Sequence, residues 1–239
     1  MTGLDGRTVW VTGAGSGMGR ASAVAAAAAG ARVVLSGRRR EALEETARLA
    51  EQAGPGGALV VPVDVADAAA VRAAREQTGP VTDLVLAAGL NAKRRTWADQ
   101  QLDEVQAIVD VNLTGVLAVV DATLPDLRTA GGQVVVVSSY SGWRFSPGAG
   151  VAYSATKTAL ASVCQMLNAQ EAAHGVRACH LCPGDVATDF LELRPNVPDA
   201  DARAVMLTPE DVAATVAFVL QSPPHVRIDE LVISPVSQA

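Results

Sequence analysis

The sequence predicts an α/β fold in which a seven-stranded, mainly parallel, doubly wound sheet is covered by helices on both faces. Short Val-rich runs alternate with longer Ala-rich stretches along the chain. The Val-rich runs are almost continuously apolar, as expected for strands that are buried on both faces of a parallel sheet. A glycine-rich turn connects the first apolar run to the first Ala-rich stretch, which is typical of doubly wound α/β proteins.

The strands are predicted from short apolar, β-branched runs that end at turn residues. In chain order they are "TVWVTG" (8–13), "ARVVLS" (31–36), "ALVVPVD" (58–64), "TDLVLAAG" (82–89), "GQVVVVSS" (132–139), "VRACHLC" (176–182) and "DELVIS" (229–234). The Ala-rich or charged stretches between them are long enough for helices. These are predicted from the glycine turn to Ala29 and at 39–52, 67–77, 99–127, 152–174 and 209–221.

Length and composition predict one domain over residues 1–239, since the chain has 239 residues and 49% of them are hydrophobic. The longest irregular segment, 185–208, is predicted to be a substrate-binding loop. A net charge of −6 argues against nucleic-acid and anionic-membrane partners. We find no stretch that approaches a membrane span and no signal peptide, so a cytoplasmic protein is expected.

Three cysteines, Cys164, Cys179 and Cys182, cannot all pair, which suggests a reducing compartment. The "CHLC" stretch imitates a metal-binding or redox CxxC pair. It lies in a predicted strand, however, where positions i and i+3 point to opposite faces. We therefore predict buried, inert thiols and no metal site.

The glycine turn reads "TGAGSGMG" and lies between strand one and helix one. A helix N-terminus offers free N–H groups and a positive dipole end, and glycines allow the backbone to approach a pyrophosphate closely. This context is the dinucleotide-binding fingerprint of a Rossmann-type fold. A tight turn without a ligand is the alternative. The predicted cofactor-binding residues here are Thr12, Gly13, Gly15, Ser16, Gly17, Met18 and Gly19.

A lysine stands four residues after Tyr153 in "VAYSATKTAL". Of the 19 basic Lys and Arg residues only Lys93 and Lys157 are lysines. Tyr153 and Lys157 lie on the same face of a helix, where an ammonium favours the phenolate and lowers the phenol pKa. A compact ammonium with three donors can serve ribose hydroxyls and the phenol together. A helical pair without a function is the alternative.

TGxxxGxG followed by YxxxK resembles the short-chain dehydrogenase/reductase family, and the resemblance covers essentially the whole chain. It implies that Ser139, which ends strand five, orients the substrate carbonyl, and that Asn112 holds a water in a proton relay. In "PGDVAT" it implies cofactor contacts from Pro183, Gly184, Val186 and Thr188. The family usually forms dimers or tetramers through the helices at 99–127 and 151–174, so a homodimer or homotetramer is expected.

Strand two is followed by "GRRRE", without an acidic residue until Glu41. A carboxylate at this place would bind a ribose 2′-hydroxyl, whereas arginine accommodates a 2′-phosphate. We therefore predict that Gly37, Arg38 and Arg39 bind NADP(H) and that NAD(H) is disfavoured. Arg–Glu pairs at a solvated helix start are the alternative. Asp64 and Val65 resemble the adenine contact of the family, although Asp64 or Asp67 can instead cap the next helix.

After strand four the chain has "LAAG" where the family usually has NNAG. Ala88 and Gly89 are still expected to contact the cofactor, but the loop loses a side-chain anchor at Ala87. The substrate is expected to contact Ser139, Tyr153, Asn91, Trp143, Arg144 and Phe190, with Trp97, Phe145 and Leu191 as further wall candidates. Lys93, Arg94, Arg95 and Arg144 can attract an anionic substrate, although a solvated loop face explains most of them.

The prediction is an NADP(H)-dependent oxidoreductase that interconverts a secondary alcohol and a carbonyl, with Asn112, Ser139, Tyr153 and Lys157 as the catalytic group. Tyr153 acts as general acid/base. Three alternatives stay open: an NAD-preferring dehydrogenase of a small hydroxy acid, an enzyme with dehydration chemistry, and a non-catalytic protein that senses a dinucleotide.

Overall fold

The computed structural model describes residues 3–238. Within them, seven strands form one parallel sheet in the order β3-β2-β1-β4-β5-β6-β7. The strands are β1 Thr8–Thr12, β2 Arg32–Ser36, β3 Ala58–Val60, β4 Asp83–Leu86, β5 Gln133–Val137, β6 Arg177–Pro183 and β7 Glu230–Ile233. The predicted doubly wound fold is confirmed, and the strand order reverses direction between β1 and β4.

Helices cover both faces of the sheet. They are α1 Gly17–Ala28, α2 Arg40–Ala53, α3 Ala68–Thr78, α4 Leu102–Val109, α5 Gly115–Ala130, α6 Tyr140–Trp143, α7 Val151–Gln170, α8 Ala200–Ala204 and α9 Pro209–Leu220. One apolar layer joins the sheet to α1, α2 and α9, and the other joins it to α3, α5 and α7. Strand β1 shows how they are built: Val9 and Val11 enter the first layer, and Trp10 enters the second.

Several boundaries differ from the sequence-based prediction. Strand β3 ends at Val60 instead of residue 64, because Pro62 has no N–H to continue the ladder. The neighbouring Val61 and Val63 still donate backbone hydrogen bonds to the residues of β2 and its end. The predicted long helix is interrupted by a π-helical turn, Asp110–Thr114. The predicted helix at 152–174 ends as α7 at Gln170, followed by a 3₁₀ turn.

The segment 185–208 is less irregular than the sequence suggests. It contains a 3₁₀ turn, Asp189–Leu193, and the short helix α8. Its two ends meet in a parallel bridge between Val186 and Leu207. Asp199 caps α8 with its side chain, which accepts a hydrogen bond from the N–H of Ala202. The segment is therefore a loop that starts at the carboxyl end of β6 and whose two ends are paired with each other.

The helical region Leu102–Ala130 is long and apolar enough to cross a membrane by length and composition, with a hydropathy of 1.7. On these criteria the expectation that no stretch approaches a membrane span is wrong. The core helix of a soluble protein also meets these two criteria of length and composition. Val116, Val119 and Leu127 on this region are buried in the apolar layer beneath the sheet.

An ion pair between Arg7 and Asp83 joins four elements of the fold near the amino ends of the strands. Asp83, at the start of β4, is fully buried and accepts hydrogen bonds from the Arg7 guanidinium. The same carboxylate accepts a hydrogen bond of 2.8 Å from the backbone N–H of Gln133, at the start of β5. Arg7 also donates to the carbonyl oxygen of Leu220 at the end of α9. Asp83 thus connects β1, β4, β5 and, through Arg7, α9.

Replacing Asp83 by Ala should lower the free energy of unfolding by about 3–5 kcal/mol, because it leaves the Arg7 charge without its buried partner. Urea unfolding measures this change. Glu44→Ala is the control, since the Arg40–Glu44 pair is exposed and should contribute at most about 0.5 kcal/mol. Equal effects of the two substitutions would contradict the role given to Asp83.

Candidate active site

A cleft of about 380 Å³ opens at the carboxyl ends of β1 and β4, where the strand order reverses. Most of the predicted cofactor-binding residues line it. These are Gly13, Gly15, Ser16, Gly17, Met18, Gly19, Gly37, Arg38, Arg39, Asp64, Val65, Ala88, Gly89, Tyr153, Lys157 and Thr188. Of the other four, Pro183, Gly184 and Val186 line a neighbouring cavity. Thr12 is buried and does not line the cleft; its hydroxyl accepts a hydrogen bond from the N–H of Ala88, which does.

The glycine loop is packed so closely that side chains are excluded from two of its positions. A Cβ on Gly19 would lie 2.3 Å from the carbonyl oxygen of Gly13. Gly13 has φ +67°, and its Cβ would lie 2.7 Å from the backbone nitrogen of Ala88. The side chain of Ser16 makes no capping hydrogen bond at the start of α1. The first N–H groups of α1 are therefore not capped by this side chain and can donate to an anion. The closely packed glycine loop and these N–H groups together fit a pyrophosphate.

Two arginines without ion-pair partners in residues 3–238 follow β2. Arg38 and Arg39 are exposed at the rim of the cleft, and neither forms an ion pair within residues 3–238. Arg40 differs, because it pairs with Glu44 and lies outside the cleft lining. After β3, Asp67 caps α3, whereas Asp64 lines the cleft. The helix cap therefore falls on Asp67, and the adenine contact of Asp64 stays a prediction.

Lys157 lies on α7 beneath the cleft and is only 4% exposed. Its Nζ donates a hydrogen bond of 2.9 Å to the carbonyl oxygen of Val137, the last residue of β5. The same Nζ lies 5.7 Å from the centre of the Tyr153 ring. Burial lowers the pKa of Lys157 to about 8. Tyr153 and Lys157 thus lie on one face of α7, as expected, and the Lys157 ammonium is buried away from water.

Tyr153 is also influenced by groups that the lysine argument did not consider. Burial raises the pKa of its phenol. The opposing influences are a hydrogen bond from the Ser139 side chain and then the positive charges of Arg194 and Arg95. Sequence reasoning assigned the lowering of this pKa to Lys157 alone, whereas Ser139, Arg194 and Arg95 are the groups that lower it and burial outweighs them. With its pKa raised, the phenol keeps its proton at neutral pH, close to two arginines.

Ser139 follows β5 and is the N-cap of α6, where its hydroxyl accepts a hydrogen bond of 3.2 Å from the N–H of Ser141. Its side chain also lowers the pKa of the Tyr153 phenol, and both residues line the same cavity. Ser138 points elsewhere, as the strand alternation predicts: its hydroxyl donates to the carbonyl oxygen of Lys157 on α7. Ser139 is therefore the serine that reaches the phenol.

Asn112 is fully buried in the π-helical turn. Its Oδ1 accepts from the N–H of Leu90 at 2.7 Å, and its Nδ2 donates to the carbonyl oxygen of Leu90 and to the hydroxyl of Thr156. Both amide donors are thus used by protein groups, and only Oδ1 keeps a lone pair without a partner in residues 3–238. The structure shows Asn112 anchoring the loop after β4, which lacks the second asparagine of the NNAG pattern.

A second cavity of about 420 Å³ joins the cleft at Tyr153. The substrate candidates Asn91, Ser139, Tyr153 and Phe190 line it, as does Leu191. The Phe190 ring centre lies 6.0 Å from that of Tyr153. Asn91 is held by a hydrogen bond to the carbonyl oxygen of Ala149.

Trp143 and Arg144 do not line this cavity, so the expectation for these two residues needs correction. The chain after Ser139 turns into helix α6, which carries Trp143 away from the cavity. There its ring packs edge-on against Tyr140, and the Arg144 guanidinium stacks on it at 4.0 Å. Trp97 and Phe145 are 81% and 88% exposed and are likewise absent from the lining.

Three charged residues line the cavity: Arg95, Asp185 and Arg194. The sequence analysis named Arg95 only as one of four basic residues that can attract an anionic substrate, and it included Asp185 and Arg194 only as part of the loop 185–208. Arg95 belongs to the basic triplet considered above, but its neighbours Lys93 and Arg94 are exposed on the outside of the loop. Gln238 also lines the cavity and accepts a hydrogen bond from the N–H of Asp185. A residue so close to the end of the chain gives no sequence signal of such a contact.

The three cysteines are buried and free. Burial raises the pKa of all three thiols, to about 12 for Cys179 and Cys182. Cys179 and Cys182 face opposite sides of β6, as predicted. Cys182 lies with His180 and Glu230, and one ligand atom from each falls within 4.8 Å of the others. The absence of a metal site therefore stays a prediction.

Known proteins with similar sequences and structures are oxidoreductases. The chain is 39% identical to a glycine betaine reductase (ATRR) of Emericella nidulans over 97% of its own length, but it spans only 19% of that protein. It is 33% identical to an uncharacterized oxidoreductase of Staphylococcus aureus strain MW2, over 99% of this chain and all of that one.

Solved structures that are similar to this chain also include dehydrogenases and reductases. An alcohol dehydrogenase of Thermococcus sibiricus complexed with 5-hydroxy-NADP superposes with a TM-score of 0.87 at 29% identity, over 98% of both chains. A 3-oxoacyl-[acyl-carrier protein] reductase of Brucella melitensis with bound NAD gives 0.83 at 29% identity, over 95% of this chain and 89% of that one. With the cleft described above, these likenesses make the chain an NAD(P)-dependent dehydrogenase or reductase.

The family follows from a further comparison. The model of the short chain dehydrogenase family matches residues 7–197, which include the glycine loop, Ser139, Tyr153 and Lys157. The chain belongs to the classical short-chain dehydrogenase/reductase family.

Lys157→Met should increase the stability of the ligand-free protein at pH 7. Burial lowers the lysine pKa from 10.5 to about 8, which corresponds to a cost of about 3 kcal/mol for the charged form. Losing the bond to Val137 offsets about 1 kcal/mol of the gain. Because the unfolded chain binds more protons between about pH 8 and 10.5, wild-type stability should rise through this window and the advantage of the variant should shrink.

Urea unfolding at pH 7 and pH 10 measures both effects. The control is Lys93→Met, which removes the other lysine at an exposed position and should change the stability little at either pH. A variant that is less stable than wild type at pH 7 would contradict the burial cost assigned to Lys157.

Proposed function

We propose that this protein is an NADP(H)-dependent oxidoreductase that interconverts a secondary alcohol and a ketone or aldehyde, with Tyr153 as general acid/base. The observation that carries the proposal is the position of Tyr153. Its side chain lines both the glycine-loop cleft and the second cavity, with the Ser139 hydroxyl on its phenol and the Lys157 ammonium behind it. A proton donor at this junction can reach a substrate atom in one cavity beside a cofactor in the other.

In the direction of reduction, the Ser139 hydroxyl donates a hydrogen bond to the substrate carbonyl oxygen and Tyr153 transfers its proton to that oxygen. A nicotinamide dinucleotide bound in the cleft would supply the hydride. Lys157 stabilises the phenolate that remains and presents donors to ribose hydroxyls. Asn112 supports this group by holding the loop at Leu90, and its remaining Oδ1 lone pair is the place for a relay water.

The preference for NADP(H) rests on Arg38 and Arg39, whose guanidinium groups have no carboxylate partner in residues 3–238. A 2′-phosphate would give these charges a bidentate partner. Binding of NAD(H) is the competing candidate, because similar structures were solved with either cofactor. A non-catalytic dinucleotide sensor is less well supported, since a sensor has no use for Ser139 and Tyr153 at the junction.

The remaining expectations extend this proposal. The whole chain acts as one catalytic domain, in which 185–208 forms the substrate-binding loop. Copies of the chain associate as a homodimer or homotetramer through the outer faces of α5 and α7, where Leu117 and Met166 are 46% and 52% exposed. Three buried thiols without partners fit the reducing cytoplasm.

Tyr153→Phe should lower turnover of a carbonyl substrate by about 10²–10⁴-fold, because it removes the proton donor. NADPH affinity should stay close to that of wild type, since the ring is kept. Absorbance of NADPH and its fluorescence on binding measure the two quantities. Tyr140→Phe is the matched control, because Tyr140 is the only other tyrosine and also lines the second cavity. Retained turnover in Tyr153→Phe would refute the mechanism.

Arg38→Ala should weaken NADPH binding by about 10- to 100-fold, the usual effect of losing charge-assisted hydrogen bonds. NADH binding should change much less, because NADH has no 2′-phosphate. Titration with both cofactors measures the ratio. Arg40→Ala removes an equal charge two residues away, outside the cleft, and should leave the ratio unchanged. A loss of both cofactors to the same degree would rule out the NADP(H) assignment.

A further inference from the structure

We infer that the second cavity takes a substrate that carries a carboxylate, a short oxo acid or hydroxy acid, and that Arg95 binds this carboxylate. The inference rests on the proposed function, because it concerns the substrate of the same site.

The charge of the cavity is opposite to that of the chain. The chain as a whole carries a net charge of −6. Among residues 3–238, the charged side chains that line the cavity are two arginines, Arg95 and Arg194, and one aspartate, Asp185, which sum to +1. A positive cleft in an acidic protein attracts anions locally, since the low-dielectric walls focus the field.

The excess charge belongs to Arg95. Arg194 is neutralised, because two of its guanidinium nitrogens contact the two carboxylate oxygens of Asp185. Arg95 has no carboxylate partner within residues 3–238. Its neighbour in the sequence, Arg94, is exposed and pairs with Glu104 outside this cavity. The two adjacent arginines therefore differ in their ion pairing. Arg94 is paired with a carboxylate outside the cavity, whereas Arg95 lines the cavity without a carboxylate partner in residues 3–238.

The Arg95 side chain is fixed in place by backbone groups. Its Nε donates to the carbonyl oxygen of Ala92 at 2.8 Å, and its two Nη atoms donate to the carbonyl oxygens of Gly148 and Leu193. A guanidinium has five N–H donors, so two remain, one on each Nη. Neither has a partner within residues 3–238. Two donors on one rigid plane are the arrangement that binds a carboxylate in bidentate fashion.

Arg95 is also tied to the helix that carries the reacting residues. The carbonyl oxygen of Arg95 accepts a hydrogen bond from the N–H of Val151, the first residue of α7. A Cβ on Gly150 would lie 2.6 Å from the Cβ of Arg95. Together with Arg194, Arg95 acts on the phenol of Tyr153, whose pKa its charge lowers. A carboxylate on Arg95 therefore places the rest of a small substrate beside Tyr153.

Burial and the repulsion of Arg194 lower the pKa of Arg95, but an arginine stays charged throughout the working range of an enzyme. Its charge is partly desolvated and lacks a counter-ion. A substrate carboxylate would supply that counter-ion, whereas a neutral or cationic group would leave it unpaired.

The test compares carbonyl compounds that differ only in charge. The probes are 2-oxo and 3-oxo acids of three to six carbons, their methyl esters, and matched carbonyls with a trimethylammonium group, each assayed with NADPH and NADH. Wild-type kcat/KM should be about 10- to 100-fold higher for the best acid than for its ester. The cationic probe should be the poorest of the three.

The variants are Arg95→Gln, Arg95→Lys and the control Arg94→Gln. Arg95→Gln should reduce kcat/KM for the acid by about 10- to 100-fold, mainly by raising KM. For the ester, kcat/KM should change by less than about threefold. Arg95→Lys keeps the charge and should recover part of the loss. Arg94→Gln should behave as wild type. A role of Arg95 in loop structure alone would instead lower acid and ester turnover equally.

Each outcome decides a separate question. Equal or higher kcat/KM for the ester or the cationic probe overturns the carboxylate inference, as does an equal loss for acid and ester in Arg95→Gln, while the proposed oxidoreductase stands. Absence of NADPH or NADH turnover with every carbonyl, while dinucleotide still binds, overturns the proposed function itself.

Discussion

The site depends on the hydrogen bond between the Lys157 ammonium and the carbonyl oxygen of Val137. This bond places a charge at the end of β5, in a position from which water is largely excluded. The Ser138 hydroxyl returns a bond to the backbone of Lys157, so strand and helix are joined in both directions. Gly142 allows this proximity, since a Cβ there would lie 2.7 Å from the carbonyl oxygen of Lys157. The rest of the site is arranged around a helix fixed in this way.

The burial of this ammonium shows a conflict between stability and function. A lysine with a pKa of about 8 is held in its charged form at a cost, and the ligand-free fold recovers only one hydrogen bond for it. Such a cost is usual where a group must be ready to meet a charge or a hydroxyl that arrives with a ligand. The buried Asp83–Arg7 pair at the opposite ends of the strands is different, because there the chain supplies both charges.

Much of the fold could be predicted because its signals are local. Apolar strands and amphipathic helices repeat along the chain, and the glycine loop marks the first crossover. The errors have local causes as well: Pro62 ends β3 early, and the π-helical turn at Asp110–Thr114 has no sequence signature. Ser139, Tyr153 and Lys157, which the proposed mechanism uses, could be selected from their motifs, and the structure places Tyr153 and Lys157 at the cleft. The cavity walls could not, because α6 turns Trp143 outward, and Arg95 is distinguished from Arg94 only by tertiary contacts.

The contact between Gln238 and the second cavity has a practical consequence. The Gln238 side chain accepts from the N–H of Asp185, and it packs so tightly that a Cβ on Gly184 would lie 2.2 Å from its Oε1. An affinity tag or fusion partner attached directly after this residue would begin at the mouth of the cavity. The residues that lead into β1 lie at the opposite edge of the sheet from this cavity, so a purification tag placed before them is the better choice for kinetic work.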